Sequence, residues 1–418
     1  MQRYTNACLS LRFPFFIMSN SILFAFLDYP PKSGPGSNRN YYLKQHFNKL
    51  GWCTKVLTIA EVDNDSDISF TDDTDIIRVK SRDATEVFSI AGKYPKIVEI
   101  PDRWYLWIIP ALIKGYQQSK KNHFDYIYAS FPAYSSTIVG YLLSKILKKP
   151  LVLDLRDPFR FRYDPENMPM HWLYRLLEKH VIKQTKYLLT TTQACATFYQ
   201  NLYPNFPSTN VHVVHNGYAH EFHQELPKIS RDEVSKPFIL LHSGILYQIG
   251  RNPEALLIAI KLLIQRGTIK NGEFKLRFRG GYAWPELSQQ ILDLGLTNYV
   301  EFMDRISYLE AINEMSKVDA NVLIQNSLFN LQIPSKLYDI LALKKSILAV
   351  TDEQGALAKE MSFLGLPYFS NSAENIAKLL TQLISEEQLP LSDDVLQQRS
   401  RFTMNQHLSS ILSNSLKS

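Results

Sequence analysis

Two charged residues at the end of an apolar run are the first candidates for chemistry. Arg156 and Asp157 follow the run 150–154 almost directly. An arginine can bind a phosphate or another group of an acceptor, and a carboxylate can hold a sugar hydroxyl or act as a base. A structural Arg–Asp ion pair is the alternative interpretation of the same residues.

Glycines follow two apolar runs in the second half of the chain. Gly244 comes after the run 238–242, and Gly280 comes after the run 274–279. A glycine at the end of a strand lets a diphosphate approach the backbone amides, and Arg251 can neutralise its charge. This pattern predicts an anion-binding site.

The segment 333–342 combines a helix start with opposite charges. Pro334 suits the first helical turn, where Ser335 and the backbone amides can face an anion. Lys336 and Asp339 are three residues apart and share a helical face. A cation for phosphate beside a carboxylate for ribose hydroxyls suits a nucleotide, and a plain surface ion pair is the alternative.

A glycine-rich turn follows the first apolar run. Gly34 and Gly36 let a phosphate or a sugar approach the backbone amides and a helix N-terminus. We expect Ser37 or Asn38 to cap a helix over residues 41–50. A plain connection is the alternative, because the turn has neither a P-loop motif nor a G-x-G-x-x-G pattern.

Composition places these residues in a globular protein. The chain has 418 residues, 45% of them hydrophobic, and a net charge of +6. That charge favours phosphorylated substrates or anionic membranes and argues against a nucleic-acid partner. Cys8, Cys53 and Cys195 are far apart, which excludes a CxxC motif and predicts a reducing, cytoplasmic compartment.

The sequence predicts no metal and no cofactor. The acidic run 61–75 contains Asp73-Thr74-Asp75, which imitates a metal-binding Asp-x-Asp motif. A calcium loop at this place would lack its central glycine and its terminal glutamate. We interpret the run as a solvated acidic loop.

Short apolar runs alternate with amphipathic helical stretches, and these elements position the candidate residues. The runs are 22–27, 54–58, 125–129, 150–154, 187–191 and 211–214, followed by 238–242, 274–279, 299–302, 319–324, 346–350 and 366–369. The alternation predicts an α/β fold with two Rossmann-like, doubly wound parallel-sheet domains that face each other across a cleft. Ligands bind at the carboxyl ends of such strands.

A polar segment between the two series of runs predicts the domain boundaries. We predict an N-terminal domain at 18–220, a linker at 221–237, a C-terminal domain at 238–390 and a helical tail at 391–418. We expect residues 1–17 to lie outside the fold, with Met18 as an alternative start.

An aromatic segment predicts either a membrane contact or a core helix. Residues 101–116 include Trp104 and Trp107 beside Arg103 and Lys114. Rings at headgroup level and lysines on anionic lipid are typical of an interfacial helix. No apolar stretch reaches the roughly 18 residues of a membrane-spanning helix. We therefore expect a cytoplasmic protein, with peripheral attachment to the inner face of the membrane if this segment is interfacial.

Six motifs in the chain resemble the family 4 glycosyltransferases of the GT-B fold, in particular those of bacterial surface-polysaccharide assembly. The motifs are Ser33-Gly34-Pro35-Gly36, Asp125-Tyr126-Ile127, Asp154-Leu155-Arg156-Asp157-Pro158, Val214-His215-Asn216-Gly217, His242-Ser243-Gly244-x-x-Tyr247 and Pro334-Ser335-Lys336-Leu337-Tyr338-Asp339. The resemblance implies transfer of a sugar from a nucleotide-sugar to a hydroxyl of a lipid-linked or glycan acceptor. It also implies retention at the anomeric carbon and no bound metal.

The same resemblance implies where the substrates bind. The donor would bind to the C-terminal domain, with Arg251, Lys336 and the Gly244 amide on its diphosphate. The acceptor would bind to the N-terminal domain, with Asp157 and Arg156 on the acceptor side. Asn216 joins the glycine-rich turn as a further candidate of that domain.

Two positions depart from the family pattern. Leu331 stands where the family often carries the first of two glutamates, so one contact to the donor sugar is either missing or supplied by Asn330 or Gln332. Arg156 stands where the family often has a histidine.

Two other functions fit the same scaffold. A nucleotide-sugar epimerase needs carboxylates or histidines around the sugar carbon, and Leu331 argues against that chemistry. A non-catalytic nucleotide-sugar-binding protein would use Arg251, Lys336 and Asp339 equally well.

Overall fold

The computed structural model describes most of the chain. The described residues are 20–32, 34–60, 74–159, 170–218, 237–370, 372–385 and 391–416. Residues 1–17, Ser33, Asp73 and nearly all of the predicted linker lie outside them.

The first half of the chain forms a parallel sheet of seven strands. They are β1 (Ser21–Ala25), β2 (Cys53–Ile59), β3 (Ile76–Val79), β4 (Tyr126–Phe131), β5 (Leu151–Leu155), β6 (Thr185–Thr190) and β7 (Val211–Val213). Their order is β3-β2-β1-β4-β5-β6-β7, and every neighbouring pair is parallel. The chain order reverses between β1 and β4, which opens a crevice at the carboxyl ends of these two strands.

The described helices of this half connect the strands. They are α1 (Pro35–Lys49), α2 (Ala84–Val87), α3 (Ile108–Ser119), α4 (Tyr134–Leu147), α5 (His171–Gln184) and α6 (Gln193–Leu202), with 3-10 helices at Lys96–Glu99, Tyr105–Trp107 and Ser208–Asn210.

The second half forms a parallel sheet of six strands. They are β8 (Phe238–Ser243), β9 (Phe274–Arg279), β10 (Val300–Met303), β11 (Ala320–Ile324), β12 (Ser346–Val350) and β13 (Tyr368–Phe369). Their order is β10-β9-β8-β11-β12-β13, so this sheet reverses between β8 and β11. Its described helices are α7 (Glu254–Gln265), α8 (Pro285–Asp293), α9 (Tyr308–Lys317), α10 (Lys336–Ala342), α11 (Ala356–Phe363) and α12 (Ala373–Ser385), with a 3-10 helix at Ser327–Phe329.

The predicted fold class is confirmed, because both halves are parallel-sheet α/β units. Every residue of β1, β4, β5, β11 and β12 is buried. Helices cover both faces of a parallel sheet, so its central strands are apolar without alternation. That continuity is the reason the runs were recognisable in the sequence.

Two element predictions were wrong at the start of the chain. β3 was missed, because its four residues directly follow the acidic run and only Val79 is buried. Helix α1 begins at Pro35, not at residue 41, and Gly34 occupies the N-cap position in place of Ser37 or Asn38. Proline is favoured at the first helical position, where its missing N–H costs nothing.

The C-terminal tail contains two helices, α13 (Asp393–Gln397) and α14 (Arg401–Ser415), not one. Leu396 of α13 packs in the core of the second half. Leu408 and Leu412 of α14 pack in a core cluster of the first half, and the Tyr126 hydroxyl donates to the Leu412 carbonyl at 3.0 Å. The tail therefore connects the two sheets.

The aromatic segment is largely part of the core. Trp107 is 0% exposed, and Trp104 and Ile108 pack against the same cluster, so the core alternative holds for Trp107. Ile109 is 69% exposed on the outer face of α3. Within the described ranges, no helix has the length and apolar content needed to cross a bilayer.

Gly140→Ala is expected to destabilise the first sheet. A Cβ at Gly140 of α4 would lie 2.5 Å from the Cβ of Ala129 in β4, which is fixed to its strand. Overpacking of this kind costs about 1–3 kcal/mol, which exceeds the helix propensity gained from alanine. The matched control is Gly115→Ala in α3, which meets the movable Cδ1 of Leu143 at 2.7 Å. Thermal unfolding should show a lower Tm for Gly140→Ala than for Gly115→Ala, and equal values would contradict this packing.

Candidate functional site

A cavity of about 210 Å³ lies where the carboxyl ends of the two sheets face each other. The first half contributes Arg39, Arg156, Asp157 and Asn216 to its walls. The second half contributes Arg251, Gln332 and Ser335, and the tail contributes Arg401. Four of the twelve lining residues are arginines and one is a carboxylate, so the cavity favours an anionic ligand.

Arg156 is held against the glycine-rich turn. Its Nε donates to the Phe131 carbonyl at 2.9 Å, and its guanidinium occupies the space that a Cβ on Gly36 would need. Gly36 therefore permits the close approach of Arg156. This is a different use of the glycine from the predicted contact with a phosphate or sugar.

Asp157 faces the other half of the protein. Its Oδ1 accepts a hydrogen bond from the side-chain amide of Gln332 at 2.9 Å. Burial raises the pKa of the Asp157 carboxyl, and the positive charges of Arg156 and Arg251 oppose that effect. The carboxylate thus already binds a polar donor across the cleft.

Two tyrosines hold the loop that carries Asp157. The amide of Phe159 donates to the Tyr199 hydroxyl at 2.7 Å, and the Tyr134 hydroxyl donates to the Phe159 carbonyl at 2.7 Å. The Tyr199 hydroxyl in turn donates to Glu178, which is fully buried. Both backbone groups of Phe159 are thereby satisfied inside the core.

Arg39 is paired with Asp154 at the base of the cavity. The guanidinium bonds both carboxylate oxygens of Asp154, at 3.2 and 3.1 Å, and Asp154 is 0% exposed. Arg39 also donates to the carbonyls of Val214 and His215 and to Oδ1 of Asn216. Asn216 is therefore held at the cavity wall by Arg39.

Arg251 is held between two aromatic rings of the second half. Its guanidinium lies 5.3 Å from the ring centre of Tyr247 and 5.1 Å from that of Phe329. A Cβ on Gly250 would overlap the Phe329 ring. The ring faces attract the cation, and they orient it before any ligand binds.

Lys336 and His242 lie beside Gly244. A Cβ on Gly244 would lie 3.4 Å from Cε of Lys336 and 3.7 Å from Nε2 of His242. Nδ1 of His242 is 3.2 Å from the Val322 carbonyl. Burial lowers the pKa of His242 to about 4, and the charges of Arg251 and Lys336 act in the same direction. The ring is therefore neutral at physiological pH.

Asp339 is buried behind Ser335, and it is not exposed as in a surface ion pair. Its Oδ1 accepts a hydrogen bond from the Tyr308 hydroxyl at 2.9 Å. Burial raises the pKa of Asp339, whereas the charges of Arg401 and Lys336 lower it. Helix α10 begins one residue after Ser335, so Pro334 precedes the helix instead of opening it.

Leu331 and its neighbours bring the two halves into contact. The Leu331 side chain packs against the core cluster of the first half, and its carbonyl accepts from the Thr192 hydroxyl at 2.7 Å. Of the two residues proposed to replace the family's glutamate, Gln332 lines the cavity. Asn330 lies instead against Gly355. A Cβ on Gly355 would lie 2.8 Å from Oδ1 of Asn330.

Most of the predicted site residues converge. Arg156, Asp157, Asn216, Arg251 and Ser335 line one cavity, and Gly244, Lys336 and Asp339 lie beside it. Gly34 is at the start of α1, and Gly280 at the end of β9 lies near Arg305 outside the cavity wall. The sequence reasoning missed Arg39 and Arg401 as site residues. Arg39 stands in the glycine-rich segment and could have been suspected, whereas no local signal marks Arg401.

The arrangement can bind an anion and hold a hydroxyl group at the same time. Fixed guanidinium groups stabilise negative charge that develops on a ligand, and the Asp157 carboxylate accepts a hydrogen bond from a hydroxyl. Among the described residues, no group of three or more His, Cys, Asp and Glu side chains is placed to hold a metal.

His242→Gln is expected to flatten the acid dependence of stability. With a folded pKa of about 4 and an ordinary value of about 6.5, the unfolded chain binds a proton between these pH values that the folded chain does not. Stability therefore falls as the pH is lowered through this window, by roughly 2–3 kcal/mol from this group. Urea denaturation at pH 6.5 and 4.5 measures the effect. His171→Gln is the control, because His171 is exposed at the start of α5. An unchanged pH dependence in His242→Gln would contradict the assignment.

One family model matches part of the chain. Residues 73–222 match the model of Glycosyltransferase Family 4, which is less than half of the sequence. No curated protein matches the chain in sequence.

Solved structures are similar to nearly the whole chain. Sucrose-phosphate synthase from Thermosynechococcus elongatus has a TM-score of 0.64 at 11% identity, covering 96% of this chain and 99% of that one. The N-terminal domain of trehalose-6-phosphate phosphatase from Candida albicans has a TM-score of 0.64 at 12% identity, with 95% and 97% covered. UDP-GlcNAc 2-epimerase from Methanocaldococcus jannaschii has a TM-score of 0.55 at 12% identity, with 95% and 100% covered.

These likenesses agree with the two parallel sheets and the cleft between them. At such identities they show the fold, which is the two-domain GT-B arrangement. The family match in the first half agrees with the resemblance found in the sequence. Residues 73–222 are therefore similar to Glycosyltransferase Family 4, and the chain as a whole has the GT-B fold.

Proposed function

We propose that the protein is a retaining glycosyltransferase, which moves a sugar from a nucleotide-sugar to a hydroxyl of a lipid-linked or polysaccharide acceptor in cell-surface glycan synthesis. The observation that carries this proposal is the meeting of Arg156 and Asp157 from one half with Arg251 and Ser335 from the other in a single cavity. The epimerase of similar fold is named for a UDP-sugar, which supports a nucleotide-sugar as the donor.

Arg251 and Lys336 stabilise the leaving diphosphate. The bond between the anomeric carbon and a phosphate oxygen breaks, and negative charge grows on that oxygen. Arg251 is oriented by Tyr247 and Phe329, and Lys336 lies beside Gly244, where the backbone allows close approach. Preorganised cations and donors of this kind contribute a few kcal/mol each, or about 10²–10³ in rate.

Asp157 orients the acceptor hydroxyl. A hydroxyl of the acceptor can replace the Gln332 amide as the donor to Asp157 Oδ1. The acceptor oxygen then bonds to the anomeric carbon on the face that the diphosphate leaves. Its proton passes to the departing phosphate oxygen, so the reaction needs no separate base and no metal.

The two halves must separate to admit the donor. The cavity of about 210 Å³ is smaller than the roughly 300–1,000 Å³ of typical ligand pockets. Among the described residues, the contacts across the cleft include the packing of Leu331 and Ala194 and the hydrogen bonds of Thr192 and Gln332. Opening would have to break these contacts.

Arg251→Ala and Lys336→Ala should each lower turnover at least tenfold with nearly unchanged Tm, because each removes a cation from the developing charge. The measurement is release of nucleoside diphosphate from a panel of nucleotide-sugars with glycan acceptors. Arg266→Ala is the matched control, since Arg266 pairs with Glu374 on the surface of the second half. Folded variants of Arg251 and Lys336 with wild-type rates would overturn the diphosphate assignment.

The same assay separates the two other functions. A new epimer formed from a nucleotide-sugar alone would identify an epimerase, and binding without hydrolysis or transfer would identify a non-catalytic binder. Epimerisation needs acids or histidines around the sugar carbon. Leu331 packs in the core of the first half and supplies no such group, which favours transfer.

The outer face of α3 is the proposed contact with the membrane that carries a lipid-linked acceptor. Ile109, Ile113 and Tyr116 are exposed at helical spacing, and Lys120 lies 4.8 Å from the Tyr116 ring. On α5, Trp172 and Leu176 are also exposed. Both α3 and α5 pack on α4. An apolar stripe with lysines beside it suits an anionic bilayer surface.

An Ile109→Ser, Ile113→Ser double variant should bind anionic liposomes about tenfold more weakly, because two exposed apolar side chains no longer enter the interface. Co-sedimentation at low and high salt measures the binding, and salt should weaken it by screening the lysines. The matched control is Leu292→Ser, Leu309→Ser, which removes two exposed leucines from helices of the second half. If the α3 variant pellets with anionic liposomes as well as wild type does, this face is not the membrane contact.

A further inference from the structure

The C-terminal tail crosses the connection between the two halves at very close range. The Tyr218 amide donates to the Arg399 carbonyl at 3.3 Å, and the Arg401 amide donates to the Tyr218 carbonyl at 3.0 Å. A Cβ on Gly217 would lie 2.6 Å from the Arg399 carbonyl oxygen, so only glycine fits this crossing without displacement. The crossing fixes residue 401 at the point where both halves meet.

The Arg401 side chain is held in one place by groups of the first half. Its Nε donates to the Gly217 carbonyl at 2.7 Å, and its guanidinium lies 5.2 Å from the ring centre of Tyr42. The helix that follows, α14, packs on the first sheet through Leu408 and Leu412. Arg401 is thus a rigidly placed cation in the cavity wall.

This cation has an unused donor. Nη1 of Arg401 is buried, and within the described chain it has no hydrogen-bond partner. A buried charged donor without a partner is costly, so such a group calls for a ligand or an ion. The nearby carboxylate, Asp339, accepts its hydrogen bond from Tyr308 instead.

We propose that Arg401 binds a phosphate of the ligand in the cavity and forms one anion site with Arg251. For the identity of that ligand, a nucleotide-sugar, the inference rests on the proposed function. Arg251 belongs to the second half and Arg401 is anchored on the first, so one diphosphate between them joins both halves. The tail is in this way a part of the donor site.

The experiment measures binding of UDP, inorganic pyrophosphate and uridine to the full chain by calorimetry and ligand-observed NMR. Arg401→Gln should bind UDP and pyrophosphate at least tenfold more weakly, and uridine as wild type does. Arg401→Lys keeps the charge and should lose less affinity for UDP and pyrophosphate than Arg401→Gln does. Arg266→Gln, a surface arginine paired with Glu374, is the control and should bind all three as wild type does.

The outcomes separate this inference from the proposed function. If wild type binds pyrophosphate and Arg401→Gln does not, the anion site stands even if UDP and other nucleotides fail to bind, and only the proposed function falls. Equal weakening for UDP and uridine would place Arg401 at the ribose and overturn the inference. A lower Tm with unchanged pyrophosphate binding, in either Arg401 variant, would reduce Arg401 to a structural role. Failure of wild type to bind pyrophosphate would overturn the anion site itself.

Discussion

The buried ion pair between Arg39 and Asp154 is the interaction on which the cleft depends. Asp154 is the fourth residue of β5 and is 0% exposed, so its charge must be neutralised inside the protein. Arg39 does this from α1 and uses its remaining donors on Val214, His215 and Asn216. One guanidinium therefore joins the first helix, the strand that leads to Asp157, and the segment that leaves the first sheet for the second.

The positions of the other site residues follow from this pair. Because α1 is held by Arg39, its first turn lies close enough to Arg156 that residue 36 must lack a side chain. The segment after Asn216 runs directly into the crossing with the tail, which places Arg401 beside the same cavity. The cavity is thus built around a satisfied buried charge, and Arg156, Arg251 and Arg401 also line its wall.

Much of the fold could be predicted because it is encoded in local patterns. Continuous apolar runs identify strands that are covered on both faces, and alternation with helices identifies parallel sheets. β3 could not be found in this way, since three of its four residues are only partly buried at the sheet edge. The break between α13 and α14 was also invisible, because it is caused by contacts of residues 399–401 with Gly217 and Tyr218, about 180 positions away.

The candidate site also contains residues that local sequence marks and residues that it does not. Arg156, Asp157, Arg251 and Ser335 lie next to glycines, prolines or strand ends, so their sequence context marks them. The close approach of Arg156 to Gly36 could not be predicted, because Arg156 is distant in sequence. Arg401 lies in a polar tail whose composition carries no signal. Residues that act through long-range packing have no local pattern to reveal them.

The charges of the cavity would couple the proposed domain closure to the proposed anion binding. Arg156, Arg251 and Arg401 face one small space with Asp157 as their opposing carboxylate, so bringing the halves together concentrates like charge. Such repulsion is strong where water is excluded. The packing of Leu331 and the hydrogen bond from Gln332 to Asp157 offset part of it. A diphosphate carries the opposite charge and would remove the rest, so the closed arrangement is most stable when an anion lies between the two halves.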